Sequence, residues 1–245
     1  VILHYKIIMM KKLFLLDAYA LIYRAYFALN KNPRVNSKGL NTSAIMGFLN
    51  TLYEVLKNEN PTHIGVAFDL GEPIRRTENF AEYKANREET PPDIKISVPY
   101  IKEIIKAFNI PIFEKAGYEA DDIIGTIAHK FQQVETVIIT GDKDSFQLVD
   151  DNTCVYFTKR GITELDVYNH LNFKEKMGIN PIQIIDLKAL MGDSSDNIPG
   201  VKGVGEKTAI NLIQTYNSIE NLYEHVNEIK GKLFEKLVAD KDNSF

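Results

Sequence analysis

Short apolar runs recur along the first two thirds of the chain, each about as long as a buried β-strand. They are Lys12–Asp17, His63–Asp69 and Glu135–Gly141. Continuous apolar runs, as opposed to alternating ones, are typical of strands that are covered on both faces of a parallel sheet. The pattern therefore predicts three buried strands.

Segments with helical periodicity separate these strands. Ser43–Asn58 carries apolar residues at i, i+3, i+4 and i+7, and similar spacing marks Ile101–Phe108 and Asp121–Gln133. Cys154–Thr158 and Ile162–Leu165 look like a hairpin, with its turn at Lys159–Gly161. Strands that alternate with helices predict an α/β fold, with a mostly parallel, doubly wound sheet flanked by helices.

Two other segments complete the predicted architecture. Residues 72–100 are polar and charged and contain four prolines, which indicates a mobile or partly helical excursion from the core. From Pro181 onward no strand pattern remains. We therefore expect an α/β core over residues 10–180 and an all-helical subdomain over residues 181–245.

Acidic residues follow the predicted strands at the edge where ligands bind in such sheets. Asp17, Asp69 and Asp142 each come at a strand end. Six more carboxylates lie in nearby loops and first helical turns, at Glu119, Asp121, Asp122, Asp144, Asp193 and Asp196. Any one aspartate after a strand is commonly a helix cap, but nine acidic residues in this pattern indicate a shared site.

Repulsion among these carboxylates indicates that the site needs cations. Two like charges about 4 Å apart repel by roughly 4 kcal/mol at an effective dielectric of 20. Hard divalent cations with oxygen ligands, Mg²⁺ or Mn²⁺, relieve that repulsion. Two such ions clamp the attacking and leaving oxygens of a displacement at phosphorus. The sequence therefore predicts a metal-dependent phosphodiester hydrolase.

The net charge of −4 looks wrong for a nucleic-acid partner. Without the nine acidic residues, however, 24 Asp and Glu face 29 Lys and Arg, an excess of five positive charges. The overall balance therefore does not argue against DNA binding.

Basic residues stand in the excursion after the second strand. If Tyr83-Lys84-Ala-Asn-Arg87 is helical, Tyr83 and Arg87 share a face at i, i+4 with Lys84 adjacent. Placed over the metals, Lys84 and Arg87 would hold the scissile phosphate. The alternative is a solvated charged helix, because Glu82, Glu88 and Glu89 interleave, and composition alone favours that alternative.

A glycine-rich segment precedes the last strongly amphipathic helix. Gly200, Gly203 and Gly205 permit a tight turn with exposed backbone amides, which bind phosphate without reading sequence, and Lys202 and Lys207 add charge. The spacing resembles the hairpin of a helix-hairpin-helix motif. It is not a Walker A motif, since it lacks the Gly-Lys-Ser/Thr ending.

These segments together resemble the 5′-nuclease domains of bacterial DNA polymerases I, in the flap endonuclease superfamily. The matching stretches run in family order over residues 12–215. They are Leu16-Asp17, Tyr23–Phe27, Phe68-Asp69, Tyr83–Arg87, Glu119–Asp122, Gly141–Asp144 and Leu190–Ala209. Departures are Ala18, where the family usually has Gly, and Leu70–Ile74, where an Ala- and Lys-containing loop is more usual.

The resemblance implies a role for each matched residue. Asp17, Asp69, Glu119, Asp121 and Asp122 would serve one metal set, and Asp142, Asp144, Asp193 and Asp196 the second. Arg24, Arg76, Tyr83, Lys84 and Arg87 would handle the 5′ region and the scissile phosphate. Residues 72–100 would form a helical arch. The hairpin would bind duplex DNA and hold a potassium ion on the carbonyls of Val201 and Val204.

The implied activity is a structure-specific 5′-3′ exonuclease and flap endonuclease of replication and repair. Its partners would be DNA with a 5′ flap, nick or RNA primer, and a fused polymerase domain. A stand-alone nuclease, a ribonuclease of the PIN type and a non-catalytic DNA-binding module remain alternatives.

Location and assembly are read from the chain ends and the cysteine content. We expect a cytoplasmic monomer, since the sequence has one cysteine, Cys154, and the residues before Lys12 contain neither an export signal nor a membrane span. Val1 as the first residue favours a natural start at Met9 or Met10.

Overall fold

A computed structural model describes residues 11–71, 73–160 and 164–245 of the chain. Its strands are β1 (Lys12–Asp17), β2 (His63–Ala67), β3 (Ile112–Phe113), β4 (Glu135–Thr140), β5 (Thr153–Arg160) and β6 (Glu164–Tyr168). They form one sheet in the order β3-β2-β1-β4-β5-β6. Neighbouring strands run parallel except β5 and β6, which are antiparallel. The predicted mostly parallel α/β sheet is confirmed.

Helices cover both faces of this sheet. They are α1 (Ala18–Ala28), α2 (Ser43–Asn58), α3 (Ile74–Asn79), α4 (Pro92–Ala107), α5 (Ala120–Lys130), α6 (Phe173–Met177), α7 (Ile184–Met191), α8 (Glu206–Tyr216), α9 (Ile219–Glu224) and α10 (Lys232–Ala239). Within the described ranges, no helix has the combination of length and hydropathy that crossing a membrane requires.

The central strand β1 shows why the runs are continuously apolar. Phe14 and Leu16 pack into one core cluster with α1, α2 and α4. Leu15 points to the opposite face and packs into a second cluster with α5 and the helices beyond residue 181. All three side chains are fully buried. A strand covered on both faces needs apolar residues at every position.

The order in which strands are added to the sheet reverses between β1 and β4, which are themselves parallel. From β1 it proceeds outward through β2 to β3, whereas β4 lies on the other side of β1 and continues to β5. Such a switch point opens a crevice beyond the carboxyl ends of the strands, where ligands bind in open α/β sheets. Asp17 ends β1, and Asp142 follows the end of β4 by two residues.

The predicted excursion over residues 72–100 was too long. Helix α4 begins at Pro92, and its Ile94 and Ser97 have no exposed surface. Proline is favoured at the first helical positions, so Pro91-Pro92 marks a helix start. Pro99, inside α4, disguised the helical pattern.

Other elements complete the comparison with the predictions. The hairpin strands form, but β5 runs through Lys159 and Arg160, where the turn was predicted. Residues 161–163 lie outside the described residues, as do residues 1–10 with Met9 and Met10. The short edge strand β3 was not predicted. Everything described after Pro181 is helix, turn or loop apart from an isolated bridge between Asp193 and Ile198. The domain boundary near residue 180 and the arch assignment remain predictions.

Candidate active site

Three strand-end aspartates face one cavity of about 640 Å³ at the switch point. Asp17 caps α1 by accepting from Ala20 N at 3.1 Å, and its other oxygen accepts from Thr140 Oγ1 at 2.9 Å. Asp69 Oδ1 accepts from the Ala120 amide at 2.8 Å. Asp142 caps the following 3₁₀ turn. The capping interpretation is therefore correct for Asp17 and Asp142 but not for Asp69, and all three aspartates line the cavity as well.

Burial makes the charge of Asp17 costly. Burial raises the pKa of Asp17 to about 7, although the bonds from Ala20 and Thr140 act to lower it, and the charges of Asp69 and Asp142 add to the rise. Among the described residues, none of these three aspartates forms an ion pair with a lysine or arginine. This trio therefore fits a hard divalent cation in charge and in donor type.

The acidic residues at the start of α5 have a different environment. Glu119 caps the helix in a reciprocal capping box with Asp122, whose carboxylate accepts from Glu119 N at 3.0 Å. Arg76 contacts Glu119 directly and lies 2.9 Å from Asp122 and 3.5 Å from Asp121. Lys84 also contacts Glu119. Burial raises the pKa of Asp121 despite the nearby Arg76.

The second predicted carboxylate set surrounds a lysine of α7. Lys188 Nζ lies 2.7 Å from Asp144 Oδ1, although in a direction unsuited to a good hydrogen bond, and it also contacts Asp193. Although burial alone would raise it, bonds from Lys188 and Ser195 hold the pKa of Asp193 down at about 2. The sequence analysis did not identify Lys188. The signal available was a single lysine within the mostly apolar segment 184–191.

Asp196, in the loop after α7, contacts side chains from the turn at residues 83–87. Arg87 reaches Asp196 Oδ1 at 2.7 Å, and the Tyr83 hydroxyl donates to Asp196 Oδ2 at 3.2 Å and to Glu119 at 2.8 Å. Residues 81–86 form turns, so the shared helix face predicted for Tyr83 and Arg87 is wrong in this structure. Their convergence comes from the turns instead, and the Lys84 side chain is only 18% exposed.

The electrostatic prediction needs a correction. The sequence predicts that divalent ions hold these carboxylates together, but Arg76, Lys84, Arg87 and Lys188 already form ion pairs with six of the nine. As the described side chains stand, no three acidic, histidine or cysteine residues converge closely enough to hold an ion. Metal binding at Asp17, Asp69 and Asp142 therefore requires their side chains to turn toward a common point.

Aromatic residues of α1 line the same cavity. Tyr19, Tyr23 and Phe27 recur every four residues beside Arg24, and the Tyr23 and Phe27 rings are stacked at 6.2 Å between centroids. Tyr23 also donates to Thr90 Oγ1 at 3.0 Å, which links α1 to the segment before α4. The i, i+4, i+8 spacing was a readable signal for this aromatic face.

The glycine hairpin lies apart from this cavity. Gly200 has φ +57°, and a Cβ there would approach Gly192 N to 2.2 Å, so only glycine fits. Val201 and Val204 are buried, whereas Lys202, Gly203, Gly205 and Lys207 are exposed.

Helix α10 supports the hairpin at two points. Lys236 Nζ donates to Gly203 O at 3.0 Å, and the Lys202 amide donates to Asp240 Oδ2 at 2.9 Å. Sequence reasoning missed both Lys236 and Asp240, because nothing in their local pattern links them to residues more than thirty positions earlier.

Phosphodiester hydrolysis is the chemistry that suits the cavity. Its carboxylates would hold divalent cations, and the lysines and arginines beside them would attract phosphate. These properties define a nuclease.

Comparison with known proteins identifies the kind of nuclease. A model described as "5'-3' exonuclease, N-terminal resolvase-like domain" matches residues 12–178, and "5'-3' exonuclease, C-terminal SAM fold" matches residues 179–245. The chain belongs to the 5′-3′ exonuclease family.

Curated relatives are longer proteins. DNA polymerase I of Bacillus subtilis is 48% identical over 238 residues, which cover 96% of this chain but 27% of that protein. DNA polymerase I of Bacillus caldotenax is 47% identical over 91% of this chain and 26% of its own length. The chain thus spans about a quarter of the relatives it matches.

Solved structures share the fold. The bacteriophage T5 flap endonuclease, in a pseudo-enzyme–product complex with DNA and metal ions, is 25% identical with a TM-score of 0.70, over 96% of this chain and 86% of that one. The catalytic core of Rad2 in complex with DNA substrate is 22% identical with a TM-score of 0.60, over 95% of this chain and 74% of that one.

Proposed function

We propose that this chain hydrolyses DNA phosphodiesters near free 5′ ends, as a structure-specific 5′-3′ exonuclease and flap endonuclease. Its substrates would be DNA with a 5′ flap or nick, including 5′ RNA primers, in replication and repair. The observation that carries the proposal is the convergence of two groups on one cavity. Asp17, Asp69 and Asp142 reach it from the sheet, and Lys84 and Arg87 reach it from the segment after α3.

Divalent ions, Mg²⁺ or Mn²⁺, would be held in two sets. One set would use Asp17, Asp69, Glu119, Asp121 and Asp122, and the other would use Asp142, Asp144, Asp193 and Asp196. When bound, such ions supply a nucleophilic water at neutral pH and stabilise charge on the leaving oxygen. The buried Asp17, with its raised pKa and two acidic neighbours, supports this assignment most directly.

The basic residues would bind the substrate phosphates. Arg76 and Lys84 contact carboxylates that a divalent ion would also attract, so both would be freed to pair with the scissile phosphate. Arg87 and Tyr83 would be released from Asp196 in the same way. Arg24, on α1, would contact the 5′ end of the DNA. Each of these residues then carries a positive charge or a donor toward an oxygen that becomes more negative during cleavage.

The hairpin would bind the duplex beside the cut. Exposed amides at Gly203 and Gly205, with Lys202 and Lys207, offer contacts to the backbone that carry no base code. Selection would therefore rest on DNA shape and on the free 5′ end. A potassium ion on the Val201 and Val204 carbonyls would fit this role. Since the relatives are DNA polymerases I, the natural setting of this nuclease would be the N-terminal part of such a polymerase.

The direct test is cleavage of a labelled 5′-flap DNA with Mg²⁺ or with EDTA. We expect cleavage only with Mg²⁺, and its loss in Asp142→Ala with little change in flap binding. The matched control is Asp151→Ala, an exposed aspartate on the loop before β5, which should cleave normally. Wild-type turnover in Asp142→Ala would reject the assigned site, and uncut flap with the unaltered protein would reject the function.

A further inference from the structure

Two asparagines clasp the segment between α3 and α4 to the loop after α7. Asn86 Nδ2 donates to the Ser194 carbonyl at 2.7 Å, and Asn197 Nδ2 donates in the opposite direction to the Glu82 carbonyl at 2.8 Å. Between them, the Lys84 amide donates to the Asp196 carbonyl at 3.0 Å. We call these three bonds the asparagine clasp. The bonded residues are 108 to 115 positions apart in the chain.

The backbone at the clasp is held in a conformation that it would not adopt alone. Lys84 has φ +56° and Asn197 has φ +61°, both in the left-handed region. Asparagine tolerates this region, whereas a lysine there costs free energy and persists only when surrounding contacts fix it. The Lys84 amide bond to Asp196 is one such contact, so the clasp accounts for the unusual backbone of Lys84.

The clasp also determines where two basic head groups lie. Lys84 and Arg87 flank Asn86, and they extend from the clasped turn to Glu119 and Asp196. Arg87 Nε adds a 3.3 Å bond to the Ser195 carbonyl. If the turn moved by one residue, both head groups would leave the cavity, because their side chains start from the same short segment.

We propose that Asn86 and Asn197 are positioning residues for cleavage. Their side-chain amides bond backbone carbonyls of the facing segment, and they act by fixing the turn that carries Lys84 and Arg87. Asn86 also lines the cavity, so the substitution of Asn197 is the one that separates positioning from a direct contact. This inference rests on the proposed nuclease function. It assigns a purpose to the one asparagine in each of the segments Tyr83–Arg87 and Asp193–Asn197, whose charged residues have roles implied by the sequence.

The substitutions are chosen to remove only the amide donor. Asn197→Gly keeps the left-handed backbone without strain, and Asn86→Ala removes the other donor. The matched controls are Asn109→Gly, at another left-handed asparagine after α4 (φ +57°), and Asn58→Ala, whose amide bonds only Glu54 among the described residues. Thermal unfolding of all four variants should match that of the unaltered protein within a few degrees.

Two measurements follow. Hydrogen exchange should show the Lys84 amide protected in the unaltered protein and at least tenfold less protected in Asn86→Ala and Asn197→Gly. Single-turnover cleavage of a 5′-flap DNA with Mg²⁺ should slow at least tenfold in both, while the flap Kd measured in EDTA changes less than twofold. Both controls should behave as the unaltered protein does.

A double-mutant cycle distinguishes positioning from general loosening. Asn197→Gly should slow the Lys84→Ala/Arg87→Ala variant by less than twofold, since the groups it positions are gone. Equal slowing in both backgrounds, or an unchanged or faster rate in Asn197→Gly alone, would overturn the proposal. Failure of the unaltered protein to cut flaps would instead reject the nuclease function, while the exchange of the Lys84 amide would still report on the clasp.

Discussion

A single buried carboxylate, Asp17, links the fold to the chemistry. It ends the central strand, caps the helix that follows and accepts a bond from Thr140 Oγ1 on the neighbouring strand. Those bonds fix its position, and burial together with Asp69 and Asp142 raises its pKa to about 7. Without a bound cation, the ionised form of Asp17 therefore lowers the free energy of unfolding, and a substitution that removes the charge should show this.

Asp17→Asn should stabilise the protein at pH 8 in EDTA. Because the folded-state pKa of Asp17 is raised from 3.8 to about 7, its contribution to stability is present below pH 4 and is lost as pH rises through 7. The difference corresponds to at most about 4 kcal/mol. Urea unfolding of both proteins at pH 4 and pH 8 measures it. A variant less stable than the unaltered protein at pH 8 would contradict the assignment.

Lys84→Ala should slow the chemical step at least tenfold. The Lys84 ammonium is mostly buried at Glu119 and faces the cavity, where it can stabilise charge developing on the scissile phosphate. Single-turnover cleavage of a saturating 5′-flap DNA measures this step. Lys95→Ala is a suitable control, since Lys95 pairs with the exposed Glu89. An unchanged rate would show that Lys84 has no part in cleavage, as the alternative of a solvated charged segment predicts.

At the scale of elements, the apolar runs predicted β1, β2 and β4 well because burial on both faces leaves no freedom at any position. Helix α4 was missed over residues 92–100, since its start at Pro91-Pro92 and its internal Pro99 hid the face that buries Ile94 and Ser97. Local sequence patterns do not predict contacts between residues that are distant in the chain. Lys188, for example, meets Asp144 only because α7 packs against the turn after β4.

Helix α10 should contribute to DNA binding through Lys236. Its ammonium lies at the exposed carbonyl of Gly203, so it adds a positive charge to the proposed duplex-binding hairpin. Lys236→Ala should weaken duplex binding severalfold and lower the slope of log K against log salt by about 0.9, the value for one phosphate contact. Fluorescence anisotropy at several salt concentrations gives both quantities.

The control for this experiment is Lys241→Ala. Lys241 lies over the Tyr223 ring, 5.4 Å from its centroid. Loss of that lysine should leave the salt slope unchanged. Equal slopes for Lys236→Ala and the unaltered protein would show that Lys236 only supports the hairpin and does not contact phosphate.

For the whole molecule, the distribution of charge matters more than its sum. The net charge is −4, yet nine of the 33 acidic residues gather near the switch point, where four basic side chains pair with six of them. Asp17, Asp69 and Asp142 keep an uncompensated negative charge among the described residues. Divalent ions should bind the folded chain there and not the unfolded one, and should therefore stabilise the fold.

Mg²⁺ should raise the melting temperature, and NaCl at equal ionic strength should not. At a hundred times its Kd, an ion that binds only the folded state adds about 2.7 kcal/mol, which is roughly 5–10 °C for a chain of this size. Asp69→Asn/Asp142→Asn should remove the shift, because one carboxylate cannot replace the charge of three. Asp150→Asn/Asp151→Asn, on the loop before β5, should retain it. An equal shift in both double variants would place the ions elsewhere and would contradict a cation site at Asp17, Asp69 and Asp142.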